Sequence, residues 1–357
     1  GWGDLYQFTA QSPLTPTQAP GNQFDVTLGA NSTAQALVQI TVPEFAPAGF
    51  ANDLTLQAYS IAEPTIQAIV TDTVTAKATV GTRYVSPAGN DTNNNCRVRD
   101  LPCATIERGV NQASTGDAVY IAIGNYTVTE IGVNTTISIR GGWKTDFSEQ
   151  VDFIEGSTDV SASDSDRHFD ISGSTTQPTL ERLVLRDGNR TSGGAMQVRN
   201  GARVSLSRLI FVENAATRGG ALYVTAGATA VVNSSRFLDN QSSTDGGAIF
   251  AEGTVELNNT LLVGNTADQF GGAIYSRGTA VVTIWHNTFD NNQAATRGGA
   301  IYQSGGSLLL RNSNLTNNQA PDSGAIHRAL GSYTADYNNI WNNSAPASNE
   351  APGANSV

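Results

Sequence analysis

Short runs of alternating hydrophobic and polar residues fill the first part of the chain, and Pro, Gly or Asn residues separate them. Alternation with a period of two is typical of half-buried β-strands, and such punctuation is typical of turns. Five runs between residues 1 and 80 have this pattern: DLYQFTA, QFDVTLG, ALVQITVP, DLTLQAYS and TIQAIVTDTVTA. The pattern predicts a small all-β domain over residues 1–80.

One longer stretch in this domain has a family resemblance. GNQFDVTLGANSTAQALVQITVPEFAPAGFANDLTLQAYS resembles the later strands of immunoglobulin-like domains found in bacterial surface proteins. Five strands are about two fewer than the seven of a complete immunoglobulin-type sandwich. The resemblance therefore implies a partial, strand-deficient immunoglobulin-like β-sandwich.

The pattern changes at residue 81. CATIERGVNQAS is the best helix candidate, with Ile106, Val110 and Ala113 on one face, and the following TGD predicts a turn. Residues 81–126 resemble the entry segment of a right-handed parallel β-helix, in which a short amphipathic helix caps the first coil. A cap is needed because an open coil end would expose unpaired backbone groups and an apolar core.

Two columns of residues recur from residue 190 to residue 345. A small-residue pair before Ala returns every 25 to 27 residues, and its first members are Gly193, Gly219, Gly246, Gly271, Gly298 and Ser323. The second column is Asn214, Asn240, Asn265, Asn292, Asn318 and Asn343. Two columns that repeat with the same period indicate a solenoid. A leucine-rich repeat has a similar period but needs several leucines per unit, so coils of three short strands and three turns fit better.

Alternation within each unit predicts which side chains fill the interior. Ile274 and its equivalents should point inward, together with Val282 and Ile284 of the second strand and Phe289 of the third. Coils stacked about 4.8 Å apart would then share a continuous core. The glycines should allow sharp turns or close approach of the backbone. The asparagines tolerate left-handed turn conformations, and their stacked amides can hydrogen-bond to one another along the axis.

These units also carry a family resemblance. GGAL at 219–222, GGAI from 246, 271 and 298, and FVEN, FLDN and FDNN resemble the GGA[ILV] and FxxN repeats of chlamydial polymorphic outer membrane proteins. The resemblance implies a secreted or surface-displayed β-helix passenger, often an adhesin. Residues 127–190 are then expected to form less regular coils of the same β-helix (81–345), and residues 346–357 a Pro/Ala/Ser-rich tail that is typical of linkers.

Composition and charge exclude some partners. The net charge of −11 argues against nucleic acid or an anionic membrane as a partner, because both would be repelled. No run of about 18 apolar residues is present, so no transmembrane segment is expected. Cys96 and Cys103 are seven residues apart, a spacing that allows a small disulfide ring, with two free thiols as the alternative. A disulfide would favour an extracellular location.

Polysaccharide lyases and hydrolases share the parallel β-helix fold, so catalysis has to be judged from residues. The chain has no DD, NTD or GHG motif, and we predict neither catalytic residues nor a cofactor. His286 is expected at a corner between strands, and His327 on the surface. His168, flanked by Asp164, Asp166 and Asp170, could belong to a calcium site, but we favour a solvated loop and predict no metal.

One column offers a candidate binding surface. Tyr223, Phe250, Tyr275 and Tyr302 follow the inward aliphatic residues, so they should face outward, in line with His327. Such a row could bind sugars or a protein partner, or its rings could stack on each other under a turn.

Three functions follow from the sequence. The favoured one is an extracellular structural surface protein, either a fibre or sheath subunit that polymerises with itself by β-strand addition, or an adhesin for a cell-surface or glycan target. The alternatives are a sugar-binding module and a polysaccharide-active enzyme.

Overall fold

The chain contains two compact units, Gly1–Gly81 and Thr82–Val357. A computed structural model describes the strands at 4–11, 24–28, 51–60 and 67–75, then 81–162, 166–344 and residues 348, 349, 353, 355 and 356. Within these residues, no helix has the length and apolar character needed to span a membrane.

The described strands of the first unit form an antiparallel sheet with the order β2-β1-β3-β4. They are β1 (Asp4–Gln11), β2 (Phe24–Leu28), β3 (Ala51–Ser60) and β4 (Gln67–Thr75). Four of the five predicted strands are therefore present. The fifth, ALVQITVP, lies outside the described residues, and the immunoglobulin-like sandwich stays a prediction.

The second unit is almost entirely β-structure. Its elements are β5 (Thr82–Val85), α1 (Ile106–Asn111), β6 (Ala118–Ala122), β7 (Gly124–Thr127), β8 (Ile131–Val133), β9 (Ser138–Trp143), β10 (Thr158–Ser161), β11 (Phe169–Ser172), β12 (Thr179–Glu181), β13 (Val184–Arg186), β14 (Asn189–Ser192), β15 (Met196–Arg199), β16 (Arg203–Ser207), β17 (Ile210–Val212), β18 (Ala215–Arg218), β19 (Leu222–Val224), β20 (Thr229–Asn233), β21 (Arg236–Leu238), β22 (Gln241–Asp245), β23 (Ile249–Ala251), β24 (Thr254–Asn258), β25 (Leu261–Val263), β26 (Thr266–Ala267), β27 (Ile274–Ser276), β28 (Val281–Trp285), β29 (Thr288–Asp290), β30 (Gln293–Ala294), β31 (Ile301–Arg311), β32 (Asn314–Thr316), β33 (Ile326–Asp336) and β34 (Asn339–Trp341).

These strands wind as a parallel β-solenoid. Face 1 is the run β5-β6-β9-β12-β16-β20-β24-β28, and face 2 is the run β8-β11-β15-β19-β23-β27; the long strands β31 and β33 join the two faces. Face 3 is β7-β10-β13-β17-β21-β25-β29-β32-β34, and β14-β18-β22-β26-β30 form a short fourth sheet. Ile249, Ile274 and Ile301 pair in register on adjacent coils, so the predicted parallel solenoid is confirmed.

The inward column forms the centre of the core. Its members are fully buried: Met196, Leu222, Ile249, Ile274, Ile301 and Ile326. On face 3, Phe211 and Phe237 stack with ring centroids 4.5 Å apart and planes 6° apart. Leu262 continues that column in register with Phe237. The coils therefore bury one continuous apolar interior that none could bury alone.

The asparagine column is a buried ladder of amides. The side-chain amide of each member donates to the side-chain oxygen of the next at 2.9 Å, along Asn214, Asn240, Asn265, Asn292, Asn318 and Asn343. These asparagines could tolerate left-handed turns but do not adopt them, because the positive φ falls on the residue before each of the six. Those residues are Glu213, Asp239, Gly264, Asn291, Asn317 and Asn342.

The glycine pairs serve two different needs. Gly246, the first of its pair, has a φ of 66°, a left-handed conformation. A Cβ on Gly247, the second, would lie 2.0 Å from the carbonyl oxygen of Gly272 on the next coil. The second position therefore requires glycine, because the backbones of two coils approach each other too closely for a side chain.

The predicted capping helix is confirmed as α1. The Thr105 hydroxyl accepts a hydrogen bond from the Arg108 N–H at 3.1 Å, which caps the helix start. Ile106 and Val110 are buried against the first coils. A disulfide joins Cys96 to Cys103, as one of the two sequence alternatives predicted, and it lies beside this cap.

Candidate functional site

The predicted aromatic row is a closed stack of rings on face 2. Tyr223, Phe250, Tyr275, Tyr302 and His327 lie on successive coils, with neighbouring ring centroids 5.1, 4.9, 5.4 and 5.1 Å apart. Phe250 is fully buried, and Tyr223, Tyr302 and His327 are at most 9% exposed. The row lies outside the apolar core, on the outward side where it was expected, and of the two interpretations the stacked and covered one holds.

Side chains from neighbouring turns cover the row. The Phe270 ring stacks on Tyr302 with centroids 4.6 Å apart. The Arg277 guanidinium lies 5.2 Å from the centre of the Phe250 ring. The Glu252 carboxylate accepts hydrogen bonds from the Arg277 Nε at 2.8 Å and from the Tyr223 hydroxyl at 2.7 Å. The rings therefore offer no open faces of the kind that sugars bind.

The same cover changes the pKa of Tyr223, the first residue of the row. Burial, together with the hydrogen bond to Glu252, raises the pKa of Tyr223 to about 12. Its hydroxyl therefore stays protonated at neutral pH and remains a donor to Glu252.

The charged pairs at the coil corners follow the predicted register. Arg218 pairs with Asp245, and Arg297 pairs with Asp322. Arg297 Nε lies 3.1 Å from the Asp322 carboxylate. Arg218 instead places its guanidinium 5.7 Å from the Phe250 ring centre, which adds to the cover of the aromatic row.

His327 ends the aromatic row among residue types that also form catalytic triads. Its Nδ1 lies 3.1 Å from the Ser323 hydroxyl and 3.6 Å from the Asp322 carboxylate. A triad needs the serine and the acid on opposite nitrogens of the imidazole, whereas both contact the same one here. Ser323 is also fully buried, and burial lowers the pKa of His327 despite the opposing effect of Asp322. The expected surface position of His327 is wrong, because its ring stacks on Tyr302 of the preceding coil and is only 8% exposed.

His168 is a core residue, and the solvated-loop interpretation is wrong for it. It is fully buried, and its Nε2 lies 2.9 Å from the Val160 carbonyl oxygen and 3.0 Å from that of Arg186. Burial lowers the pKa of His168 to about 4. The imidazole is therefore neutral at physiological pH and donates one shared hydrogen bond.

The carboxylates near His168 bind arginines of other coils. Asp166 accepts from Arg190 at 2.7 Å, and Asp170 accepts from Arg199 at 2.6 and 2.8 Å. Asp164 lies outside the described residues. Within the part of the chain that the structure describes, no three His, Cys, Asp or Glu side chains are grouped as a metal site requires.

An open site lies on face 1, beside Trp285. Asn233, Asn258, Trp285 and Arg311 form an outward column in parallel register. Trp285 is half-buried, and the Arg311 guanidinium lies 5.7 Å from its ring centre. A depression of about 350 Å³ adjoins the ring and is lined by Val231, Asn233, Glu256, Leu257, Asn258, Thr283, Trp285 and His286.

The lining residues show on which side of the Trp285 ring the depression lies. All of them belong to the coil of Trp285 or to the two preceding coils, whereas Arg311 belongs to the following coil. The tryptophan ring therefore has Arg311 on one side and the depression on the other. His286, at the predicted corner between strands, has a left-handed backbone with a φ of 58° and is also part of the lining.

Sequence reasoning missed Trp285, although a signal for it exists. Trp285 follows the inward Ile284 in an alternating strand, so it had to point outward. Its column is otherwise polar, with Ser207, Asn233 and Asn258 on the preceding coils. A large aromatic residue at a polar outward position is a marker of binding surfaces.

Part of the solenoid matches a known repeat family. The family model of the Chlamydia polymorphic membrane protein repeat matches residues 234–252, 259–277 and 288–304, so the sequence resemblance is confirmed. No curated protein matches the chain. Among solved structures, a rhamnogalacturonan lyase aligns with a TM-score of 0.37 and 14% identity over 70% of this chain and 84% of its own. The repeats point to an outer-membrane or cell-surface protein.

Proposed function

We propose that this protein is an extracellular surface protein whose solenoid, Thr82–Val357, serves as a stiff, adhesive rod and performs no catalysis. The observation that carries the proposal is the use of polar and aromatic side chains as contacts between coils. The asparagine ladder and the aromatic row each run through five or more coils without leaving a reactive group exposed.

Stiffness follows from these contacts. Each coil pairs its strands with the next coil on several faces, so bending the axis would break many backbone hydrogen bonds at once. The buried amide ladder adds side-chain bonds that also fix the register of neighbouring coils. A rod of this kind suits a protein that holds a contact surface away from a cell.

The polymorphic membrane protein repeats support the surface location, and the disulfide between Cys96 and Cys103 fits an oxidising environment. The positions of His168 and Ser323 support the non-catalytic part, because both side chains are fully buried where a substrate would not reach them.

Assembly into a fibre by strand addition is a second candidate. The described part of the tail indicates where it would take place, because Ser348 forms a parallel bridge with Ile326 at the edge strand β33. The Asn349 side chain also exchanges hydrogen bonds of 2.8 and 2.9 Å with the backbone of Arg328. The chain's own tail therefore covers part of this edge, and strand addition requires that a segment of a second copy takes the place of the tail. Sedimentation velocity should then show a mass that increases with concentration, and a constant monomer mass would exclude the fibre.

The surface location is tested on intact cells of the source organism. Antibodies against residues 82–357 should label unpermeabilised cells, and protease treatment of those cells should remove the label. Labelling only after permeabilisation would overturn the surface location.

Adhesion and catalysis are tested with the purified protein. Beads coated with folded protein should attach to target cells more strongly than beads coated with heat-unfolded protein, and equal attachment would overturn the adhesive role. Incubation with a panel of polysaccharides should release no new reducing ends. Their release by the purified protein would overturn the non-catalytic role.

A further inference from the structure

The depression beside Trp285 presents an aromatic ring that is oriented in advance. The Arg311 guanidinium, 5.7 Å from the ring centre, restrains one side of the ring by a cation–π contact. The other side borders the depression. Flat aromatic rings bind the apolar C–H faces of pyranose sugars, and a restrained ring loses little entropy when it does so.

The polar lining suits hydroxyl groups. Asn258 is exposed and Asn233 is half-buried, and no hydrogen bond within the described residues engages either side-chain amide. Each amide offers two donors and an acceptor, and Thr283 adds a hydroxyl. Sugar hydroxyls both donate and accept, so this set can satisfy them without a charged group.

Charge selects among sugars. Glu256 is the one charged residue of the lining, and its carboxylate lies 3.9 Å from Arg203. The lining contains no Lys or Arg that could bind a uronate, sulfate or phosphate group. The Glu256 carboxylate repels a negative ligand, and Arg203, which lies 3.9 Å from it, is outside the lining and does not present its charge to the depression.

Size limits the ligand further. A volume of about 350 Å³ is at the small end of small-molecule sites. We propose that this depression binds one or two pyranose rings of a neutral glycan, and that this contact supplies the adhesion of the rod. The proposal rests on the adhesive function proposed above and assigns its ligand class.

The test uses the full chain produced in a host that does not glycosylate, because Asn233 and Asn258 both begin Asn-x-Ser/Thr sequons. Cello-, malto- and chito-oligosaccharides and an oligogalacturonate are titrated by calorimetry. At least one neutral oligosaccharide should bind. Trp285→Ala should weaken its binding by about tenfold or more.

Trp341→Ala is the matched control. Trp341 lies on β34 and is 71% exposed, so it is the more accessible indole but lies outside the depression. Its replacement should leave binding unchanged. Asn258→Ala, at an exposed position, should weaken binding by about threefold while the unfolding midpoint stays that of the wild type.

Several results would overturn the proposal. They are no binding of any neutral oligosaccharide, binding of the oligogalacturonate alone, and equal affinities of the wild type and a folded Trp285→Ala variant. Trp285→Phe, which keeps a flat ring, should retain part of the affinity if the alanine variant does not fold. Beads that adhere without binding any glycan would end this proposal but leave the adhesive function standing.

Discussion

The side-chain amide of Asn265 donates a hydrogen bond of 2.9 Å to the side-chain oxygen of Asn292, one coil further along the solenoid. Its second amide hydrogen goes to the Phe237 carbonyl at 3.0 Å. Its side-chain oxygen accepts from both the backbone and the side chain of Asn240. One buried residue therefore connects three coils with every hydrogen-bonding position filled, and a shift in register would break these bonds together.

Asn265→Ala should destabilise the protein strongly. It removes an amide whose four hydrogen bonds are buried, and it takes one acceptor away from both the backbone N–H and the side-chain amide of Asn240. We expect the free energy of unfolding to fall by about 2 to 4 kcal/mol. Urea denaturation followed by circular dichroism measures it.

Asn258→Ala is the control for this experiment. The same substitution at an exposed asparagine should change the free energy of unfolding by no more than about 0.5 kcal/mol. If the two variants unfold at the same urea concentration, the ladder does not stabilise the solenoid.

Gly247→Ala should be far more damaging than Gly278→Ala. A Cβ at Gly247 would lie 2.0 Å from the Gly272 carbonyl oxygen, so two coils would have to separate. At Gly278, with a φ of 62°, no atom lies within 4 Å of the added Cβ, and only the left-handed backbone is strained. We expect losses of about 3 kcal/mol or more and about 1 kcal/mol, respectively.

The melting temperatures of the two glycine variants test whether Gly247→Ala is the more destabilising substitution. Equal melting temperatures would mean that the backbones of adjacent coils are not in contact at Gly247.

His168 should make the stability depend on pH. Its pKa is about 4 in the folded protein because of burial, against 6.5 for a free histidine. The unfolded chain therefore binds more protons than the folded chain between these values, so stability is full above pH 6.5 and decreases as the pH falls to about 4. The total loss is about 3 kcal/mol. Urea denaturation at a series of pH values measures it.

His168→Gln isolates this effect. The variant should show a smaller decrease in stability between pH 6.5 and pH 4 than the wild type. It should keep some decrease, because burial also lowers the pKa of His327. Parallel pH profiles of the variant and the wild type would show that His168 is not a buried neutral group.

Periodicity explains which features the sequence could predict. The Ile274 and Asn265 columns repeat on every regular coil, so their inward positions and ladder could be inferred from spacing alone. The cover of the aromatic row could not, because Phe270 and Arg277 reach it from turns where the equivalent residues of other coils differ. His168 lies in the irregular coils before residue 190, where no repeat indicates which side chains point inward.

Reduction of the disulfide should destabilise the cap first. Cys96 and Cys103 close a ring beside α1, and exposed Arg97 lies within it. Opening a ring of this size should lower stability by about 2 kcal/mol, because the unfolded segment gains freedom. Under dithiothreitol, trypsin should cleave at Arg97 before it cleaves the repeats. A Cys96→Ser/Cys103→Ser variant should be cleaved there without reductant and should not respond to it. If reduction leaves the wild type resistant at Arg97, the hydrogen bonds from Arg108 to the Asn94 carbonyl hold this segment without the disulfide.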